Sequence, residues 1–329
     1  MSSILVLGGA GYIGSHTVYE LIEAGEQVVV VDNLQTGFRA AVHPAAKFYR
    51  GDIRDRACLD LVFDKEEIDG VIHFAGCSQV GESRWNPLKY YDHNLRGTEV
   101  LLESMVAHGI DKIVFSSTAT VYGEPEVCPI PETARTLPTN CYGETKLAME
   151  KMVYWTAQAH NLRYVSLRYF NACGAHPNGQ IGEAHEPETH LIPLILQVPN
   201  HKREYISIFG TDYETKDGTC VRDYIHVNDL AQAHILAMKY LRAGNESNIF
   251  NLGNGVGFTV KEVIEVSEKV TGHRIPVQVE SRRAGDPSVL IASSEKAGKM
   301  LGWTPRYNDL ETIISMAWNW HSSHPNGYL

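Results

Sequence analysis

The stretch Ile-Leu-Val-Leu-Gly-Gly-Ala-Gly-Tyr-Ile-Gly, residues 4–14, joins a short apolar run to a glycine-rich turn, and a helical pattern follows it as far as Gly25. Glycines at Gly8, Gly11 and Gly14 suit a tight turn in which the backbone approaches a pyrophosphate and the helix N-terminus faces the anion. The same turn alone would also fit an ordinary strand-to-helix connection. The residues that follow favour the first interpretation.

The first half of the chain alternates short β-branched runs with amphipathic stretches, and this rhythm loosens from about residue 180 onward. Such alternation predicts an α/β fold, with a doubly wound parallel sheet of the Rossmann type and a smaller C-terminal substrate lobe. We expect the nucleotide-binding domain at residues 1–180 and the lobe at residues 181–329. The predicted strands are 4–7, 27–31, 70–74, 112–115 and 164–167, and the predicted helices are 87–108 and 142–160, the second capped by Thr139-Asn140.

Asp32 stands at the end of the second predicted strand, 18 residues after Gly14. A carboxylate in that place can accept hydrogen bonds from both ribose hydroxyls of an adenosine, and it would repel a 2′-phosphate. The sequence therefore predicts NAD rather than NADP as cofactor. Two loops after later strands, Gly51-Asp52-Ile53 and Phe74-Ala75-Gly76, lie where the adenine and ribose edges would fall.

The overall charge and the cysteines limit the partners and the compartment. With 29 Lys and Arg against 39 Asp and Glu, the formal net charge of −10 provides no positive field for a nucleic acid or an anionic membrane, so we expect neither partner. Six scattered cysteines without C-x-x-C spacing and the lack of a long apolar run indicate reduced thiols in the cytoplasm and no membrane span. The 15 histidines show no H-E-x-x-H spacing, and we predict no metal, with His185 and His190 giving no argument for zinc.

Tyr142 and Lys146 are four residues apart, and on a helix this spacing places a phenol and an ammonium on one face. They follow the strand that ends in Ser116-Ser117-Thr118, on the side of the sheet where ligands bind. A nearby ammonium and a positive nicotinamide ring would favour the phenolate, so Tyr142 could take a proton from a sugar hydroxyl while Thr118 holds the oxygen. The alternative is a surface Tyr-Lys pair on a solvated helix.

Together these motifs resemble those of the extended short-chain dehydrogenase/reductase family. The resemblance is carried by residues 8–14, 116–123, 142–146 and 167–171. Later stretches, residues 217–226, 251–253, 282–286 and 324–328, resemble the UDP-glucose 4-epimerase branch of that family in particular. The similarity covers essentially the whole chain, and it implies that part of residues 222–240 returns to the first domain.

The resemblance implies two sets of binding residues. The cofactor set is Gly8, Gly11, Tyr12, Ile13, Gly14, Asp32, Asn33, Asp52, Ile53, Phe74, Ala75, Gly76, Asn94, Tyr142, Lys146 and Phe170. The set for a UDP-sugar is Thr118, Tyr142, Asn171, Leu191, Phe209, Arg222, Arg283, Asp286 and Leu290, and the catalytic residues are Tyr142, Lys146 and Thr118. Forked guanidinium donors such as Arg222 and Arg283 suit a pyrophosphate.

The implied activity is interconversion of UDP-glucose and UDP-galactose through a 4-keto intermediate and transient NADH. Dehydratases of the family add an acid and a base directly after the hydroxyl residue, and decarboxylases have a carboxylate there, whereas this chain has Ala119 and Thr120. A regulator that senses NAD without turnover is a further alternative, but both Tyr142 and Lys146 are present.

Three positions depart from the pattern of these relatives, and one position concerns sugar size. Thr118 stands in place of the usual serine and keeps the hydroxyl, whereas His190 and Ser78 replace asparagine and lysine, so no contact is carried over to them. Leu290 stands where relatives confined to glucose and galactose have tyrosine, which suggests as a hypothesis that UDP-GlcNAc and UDP-GalNAc also fit. The resemblance also implies a homodimer joined through the helices of Asn94 and Tyr142.

Overall fold

A computed structural model of the chain describes residues 2–283 and 287–329. Its strands are β1 (Ser3–Leu7), β2 (Gln27–Asp32), β3 (Lys47–Arg50), β4 (Ile68–His73), β5 (Lys112–Thr118), β6 (Arg163–Tyr169), β7 (Asn171–Cys173), β8 (Ile206–Phe209), β9 (Val221–His226), β10 (Asn248–Leu252), β11 (Gly257–Thr259), β12 (Val277–Glu280) and β13 (Val289–Leu290). Its helices are α1 (Tyr12–Glu23), α2 (Arg56–Lys65), α3 (Val80–Trp85), α4 (Pro87–Tyr90), α5 (Gly97–Ala107), α6 (Cys141–Ala159), α7 (Leu191–Leu196), α8 (Val227–Arg242), α9 (Val260–Thr271), α10 (Glu295–Leu301) and α11 (Leu310–Ser323).

Seven parallel strands form the main sheet, in the order β10-β6-β5-β4-β1-β2-β3. The chain builds outward from β1 in one direction through β2 and β3, and then in the other direction through β4, β5 and β6. The strand order therefore reverses between β1 and β4, which is where open α/β sheets bind their ligands. The predicted doubly wound α/β fold is confirmed.

Alternate residues of β1 face opposite sides of the sheet, as the period of a strand requires. Ile4 and Val6 belong to the core beneath α1 and α8, while Leu5 and Leu7 belong to the core beneath α2 and α5. Both faces of the sheet are thus covered by helices, which explains why its strands are continuous apolar runs.

The second half of the chain forms a smaller lobe around its own apolar cluster, to which α7, β8, α9 and α11 contribute. Its strands form a sheet in which β9 pairs with β7, β11 and β13, and a separate pair of β8 with β12. The chain returns to the main sheet in between, because α8 packs on α1 and β10 pairs with β6. This return extends beyond residues 222–240, the stretch expected from the sequence.

The predicted helix 87–108 is helical throughout but irregular in its middle. A π-helical turn at Tyr91–Arg96 separates α4 from α5. Such turns are frequent at functional sites because they redirect a side chain, and here the turn contains the buried Asn94. The helices of residues 2–283 and 287–329 include none with the length and apolar character to span a bilayer.

Candidate functional site

The turn between β1 and α1 has room only for glycine at two of its positions. A Cβ atom on Gly8, whose φ is +78°, would lie 2.7 Å from the backbone nitrogen of Ala75, and one on Gly14 would lie 2.1 Å from the carbonyl oxygen of Gly8. Helix α1 begins after Gly11 with no side-chain cap and no acidic residue in its first turn. Its first amide groups are therefore oriented toward the space above the turn, where an anion would be stabilised.

Asp32 lies at the carboxyl end of β2, beside this turn. Its two oxygens accept hydrogen bonds from the backbone nitrogens of Ala10 at 2.9 Å and Leu34 at 2.8 Å. Burial raises the pKa of Asp32, and these two bonds oppose that shift. Each carboxylate oxygen has a second lone pair, so Asp32 can still accept hydrogen bonds from ribose hydroxyls.

The loop after β3 places Asp52 next to Asn33, whose amide donates to it at 2.9 Å. Arg54 forms a two-pronged contact with the same carboxylate, at 2.9 and 2.8 Å, and holds the pKa of Asp52 well below its usual range. Ile53 is buried in the core against Gly97. Asn33 and Asp52 thus form one polar edge of the site, while the side chain of Ile53 is committed to packing.

The loop after β4 and the π-helical turn meet behind the glycine turn. The backbone nitrogens of Phe74 and Ala75 donate to the carbonyl oxygen of Leu7 at 2.9 and 3.0 Å. Asn94 accepts from the backbone nitrogen of Cys77 at 2.7 Å and donates to Thr145 of α6 at 3.0 Å. Asn94 therefore connects the loop after β4 to the helix that carries Tyr142 and Lys146.

Helix α6 begins at Cys141, and the side chain of Asn140 accepts from the backbone nitrogen of Gly143 at 2.9 Å, as the predicted cap requires. Tyr142 in its first turn lies near the side chain of Thr118, the last residue of β5, which favours the ionised phenol. Lys146, one turn later and 4% exposed, donates to the carbonyl oxygen of Ser116 at 2.9 Å. The structure thus brings the three predicted catalytic side chains together at the carboxyl end of β5.

Burial shifts the pKa of both ionisable groups toward their neutral forms. It raises the pKa of Tyr142 to about 12, against the opposing effect of the nearby Thr118 side chain, and it lowers the pKa of Lys146 to about 8. The sequence predicted a lowered pKa for Tyr142 from the ammonium and a nicotinamide ring together. In the protein without a cofactor, the pKa of Tyr142 shifts upward instead, because desolvation of the phenolate has the larger effect.

Three of the residues predicted to contact a sugar nucleotide lie on β9 or on the strands that pair with it. Leu290 of β13 is the register partner of Arg222 of β9, and Leu290 and Phe170 both pack against a small apolar cluster that includes Val121. Asn171 of β7 donates to the carbonyl oxygen of Asp223 at 2.9 Å. Strand β7 directly follows β6 of the main sheet and pairs with β9. Arg222 on β9 is therefore linked through β7 to the end of the main sheet at which Thr118 lies.

Four other predicted residues lie in the lobe or outside the described residues. The guanidinium of Arg283 lies 3.8 Å from the centre of the Phe209 ring at the end of β8. Leu191 is the first residue of α7 and packs partly into the lobe core. Asp286 falls outside the residues that the structure describes.

One buried ion pair near the site escaped the sequence analysis. Arg168 donates to Glu150 at 2.9 and 2.6 Å, and Ser117 donates to the same carboxylate at 2.5 Å. Arg168 also donates to the hydroxyl of Tyr122 at 3.0 Å. The network fixes α6 against β5 and β6. Arg168 was quoted only as part of a motif, and its charge within an apolar strand was the signal available.

A glycine cradle, a carboxylate at the end of β2 and a Tyr-Lys pair at the end of β5 define a dinucleotide-dependent enzyme of the short-chain dehydrogenase type. The model of the NAD dependent epimerase/dehydratase family matches residues 4–253. The chain therefore belongs to this family.

Similar proteins and solved structures carry the name of one enzyme. The chain is 60% identical over 326 residues to the UDP-glucose 4-epimerase of Halalkalibacterium halodurans, covering 99% of this chain and 97% of the relative. A crystal structure of a UDP-glucose 4-epimerase superposes with a TM-score of 0.98 at 58% identity, covering all of both chains. The enzyme from Bifidobacterium longum in complex with NAD+ and UDP superposes with a TM-score of 0.94 at 40% identity, covering 99% of this chain and all of that one.

Proposed function

We propose that the protein is a UDP-hexose 4-epimerase that interconverts UDP-glucose and UDP-galactose through a 4-keto sugar, with NAD as its cofactor. The observation that carries this proposal is the convergence of Tyr142, Lys146 and Thr118 at the end of β5, beside a turn that only glycine can form. The names of the relatives point to the same reaction.

The residues around the turn fit a bound NAD. The amides at the start of α1 would face the pyrophosphate, and Asp32 would accept from the adenosine ribose and disfavour a 2′-phosphate. The proposed cofactor contacts are made by Gly8, Gly11, Tyr12, Ile13, Gly14, Asp32, Asn33, Asp52, Ile53, Phe74, Ala75, Gly76, Asn94, Tyr142, Lys146 and Phe170. Among these, Ile53 would contribute through its backbone, because its side chain is buried in the core.

When bound, NAD+ supplies the acceptor for the hydride that leaves C4 of the sugar and the donor that returns it. Tyr142 takes the proton of the 4-hydroxyl as the C4–H bond breaks, which leaves a ketone, and it returns the proton to the same oxygen afterward. Thr118 hydrogen-bonds that oxygen and holds it against the phenol. The ketone must present its opposite face before the hydride returns, so no net oxidation occurs.

Two charged side chains would anchor the part of the substrate that does not react. Arg222 and Arg283 can provide forked donors to the diphosphate, which the net charge of −10 does not attract by itself. An anchored diphosphate leaves the sugar free to rotate about its linkage. The proposed substrate contacts are Thr118, Tyr142, Asn171, Leu191, Phe209, Arg222, Arg283, Asp286 and Leu290.

The turn after β5 favours an epimerase over a dehydratase or a decarboxylase. Ala119 and Thr120 occupy the positions directly after Thr118, and the hydroxyl of Thr120 lies 2.9 Å from that of Thr118. Neither side chain can act as an acid or a base near neutral pH, which loss of water from the sugar would require. A regulator without turnover is disfavoured because Tyr142 and Lys146 are both present and in place.

The direct test is incubation of the purified protein with UDP-galactose, with no cofactor added. We expect UDP-glucose to form, and NAD to be released when the protein is denatured with acid. Tyr142→Phe should retain NAD and lose about 10²- to 10⁴-fold in kcat, because only the oxygen that accepts the proton is removed. Tyr154→Phe, on the exposed part of the same helix, is the matched control. An inactive parent, or a fully active Tyr142→Phe, would contradict the proposal.

The proposal of a second substrate pair, UDP-GlcNAc and UDP-GalNAc, rests on Leu290. This side chain is partly buried against the same apolar cluster as Phe170, and it pairs with Arg222 across β13 and β9. A leucine in this place leaves more room than a tyrosine for an acetamido group at C2 of the sugar. A similar enzyme from Campylobacter jejuni, with a TM-score of 0.87 and 42% identity, is named a UDP-Glc/GlcNAc 4-epimerase.

We infer that the protein forms a homodimer through α5 and α6. The two helices line a groove of about 770 Å³ on the outside of the molecule, and Trp155 of α6 is 66% exposed beside it. Charged residues of both signs, among them Arg56, Glu99 and Lys151, stand around the groove. Exposed aromatic side chains with mixed charges around them suit a self-complementary twofold interface.

A cytoplasmic location is proposed from the cysteines. All six are free thiols, and two of them, Cys173 and Cys220, are buried. Free thiols are typical of reducing compartments.

A further inference from the structure

The segment between β7 and α7 brings together four side chains that the proposed reaction does not use. Glu183, His185, Glu188 and His190 each present one ligand atom, and these atoms all lie within 4.8 Å of one another. Their spacing in the chain, E-x-H-x-x-E-x-H, matches none of the metal motifs sought in the sequence. The cluster forms only because the segment folds back on itself.

The imidazole–carboxylate distances within the cluster are close to those between ligands of one metal ion. Nδ1 of His190 lies 2.7 Å from Glu183 and 3.2 Å from Glu188, and Nδ1 of His185 lies 3.3 and 3.4 Å from the same two carboxylates. Ligands about 2.0–2.1 Å from a tetrahedral metal ion stand about 3.3 Å apart. A small shift of each side chain would therefore place one ion between all four.

A second, independent observation points to a ligand. Glu183 is 3% exposed, and its Oε1 atom and the buried Nδ1 atom of His185 are held by ion-pair contacts within the cluster, without a hydrogen bond of good geometry to any described residue. Buried polar atoms without such bonds are costly, and an ion is one of the partners that removes the cost.

We propose that Glu183, His185, Glu188 and His190 bind one divalent transition-metal ion of the Zn²⁺ type. Two neutral imidazoles and two carboxylates are a ligand set that suits Zn²⁺, whereas Mg²⁺ and Ca²⁺ prefer oxygen ligands alone. The site is structural, since its four protein ligands complete a tetrahedral shell.

The position of the cluster indicates what the ion would do. The ring of His185 packs edge-on against the ring of Tyr12, the first residue of α1, with 6.1 Å between their centres. The indole of Trp320 donates to the backbone oxygen of Glu183 at 3.2 Å. A bound ion would therefore fix residues 183–190 between the glycine turn and the C-terminal helix, and it would stabilise the folded protein.

The test is a titration of Zn²⁺ into metal-free protein that carries no affinity tag. Binding is measured by isothermal titration calorimetry. We expect saturable binding of about one ion per chain, with an increased Tm that a chelator reverses. Co²⁺ in place of Zn²⁺ should give the visible absorption of a tetrahedral site. An excess of Mg²⁺ of about tenfold should not displace the bound Co²⁺.

The double variant H185N/H190N removes both imidazoles, and its affinity for Zn²⁺ should decrease by at least about 100-fold. Glu23→Gln is the matched control, because Glu23 belongs to a second group of acidic and histidine side chains with Glu20 and His176. It should bind Zn²⁺ like the parent. If H185N/H190N proves unfolded by circular dichroism, Glu188→Gln with the Co²⁺ spectrum decides instead. The proposal fails if the parent binds no Zn²⁺, if the cluster variants bind as tightly as the parent, or if Glu23→Gln loses the site.

Discussion

Tyr142 and Lys146 lie one helical turn apart on α6, and burial disfavours the charged form of each. The reaction needs Tyr142 as a phenolate, yet the protein raises the pKa of its phenol to about 12. The positive ring of NAD+ and the ammonium of Lys146 favour the phenolate and oppose this shift. The base is therefore active only when cofactor, lysine and tyrosine are together.

Lys146→Met tests the contribution of the ammonium. With the lysine removed, a smaller fraction of Tyr142 is ionised, and each unit of increase in its pKa costs about tenfold in kcat at low pH. The pKa of Lys146 is about 8, so its charge is present below that pH and is lost above it. We expect a loss of kcat that is largest near pH 6 and shrinks as the pH increases beyond about 8. The measurement is kcat against pH for the parent, Lys146→Met and the exposed control Lys299→Met. An equal loss at every pH would show that Lys146 acts by position alone.

Leu290→Tyr tests the proposed size of the sugar pocket. A tyrosine would overfill the space beside Arg222 and the apolar cluster of Val121, at a cost of about 1–3 kcal/mol for an acetamido sugar, or roughly 5- to 160-fold in kcat/KM. The plain hexoses should be affected much less. The measurement is kcat/KM for both pairs of UDP-sugars in parent and variant. A parent without acetamido activity, or a variant that retains all of it, would show that Leu290 does not set the size limit.

At the scale of elements, the buried pair of Arg168 and Glu150 holds α6 against β5 and β6. The side chains are 5% and 6% exposed, and Ser117 and Tyr122 bond to the same network. Removal of one partner leaves a buried charge without compensation, whereas an exposed pair contributes little. The position of Tyr142 relative to Thr118 thus depends on this pair.

Arg168→Met should reduce the free energy of unfolding by about 3–5 kcal/mol. Lys299→Met, which breaks the exposed pair of Lys299 and Glu295, is the control and should change it by less than about 0.5 kcal/mol. Urea unfolding of the holoprotein provides both values. Equal losses in the two variants would contradict the role assigned to Arg168.

The sequence predicted helices and strands well where the apolar residues follow a single period, that of a helix or that of a strand. The five predicted strands correspond to β1, β2, β4, β5 and β6, and Asn140 caps α6 as expected. The π-helical turn around Asn94 was not predictable, because it arises from the contacts of Asn94 with Cys77 and Thr145 in other segments. The addition of β10 to the main sheet likewise depends on pairing between strands far apart in the chain.

In the site, too, local motifs were predictable from the sequence, whereas contacts between distant segments were not. The proximity of Tyr142, Lys146 and Thr118 was predictable because a motif and a strand end coincide. The Arg168 network and the cluster of Glu183, His185, Glu188 and His190 were missed, because their partners meet only through the tertiary fold. The contribution of burial, which raises the pKa of Tyr142 in the absence of a cofactor, could not be judged from spacing.

At the scale of the whole molecule, the groove along α5 and α6 predicts a dimer that a single charge should weaken. Trp155→Glu places a carboxylate in the proposed interface, and the dissociation constant should increase by about 30-fold or more. Val279→Glu, at an equally exposed position on β12 in the lobe, should leave it unchanged. Sedimentation equilibrium measures both. A monomeric parent, or an unaffected Trp155→Glu, would contradict the proposed interface.

The reversal of strand order between β1 and β4 places the glycine turn, Asp32 and the end of β5 at one edge of the sheet, and the lobe supplies Arg222 on β9. This arrangement supports a hydride that leaves the sugar and returns to it without release to solvent. Its most direct test uses UDP-galactose with deuterium at C4, incubated in ordinary water with no cofactor added. The product, analysed by mass spectrometry and NMR, should be UDP-glucose that retains nearly all its deuterium at C4. Hydrogen from water at C4 of the product would contradict the account.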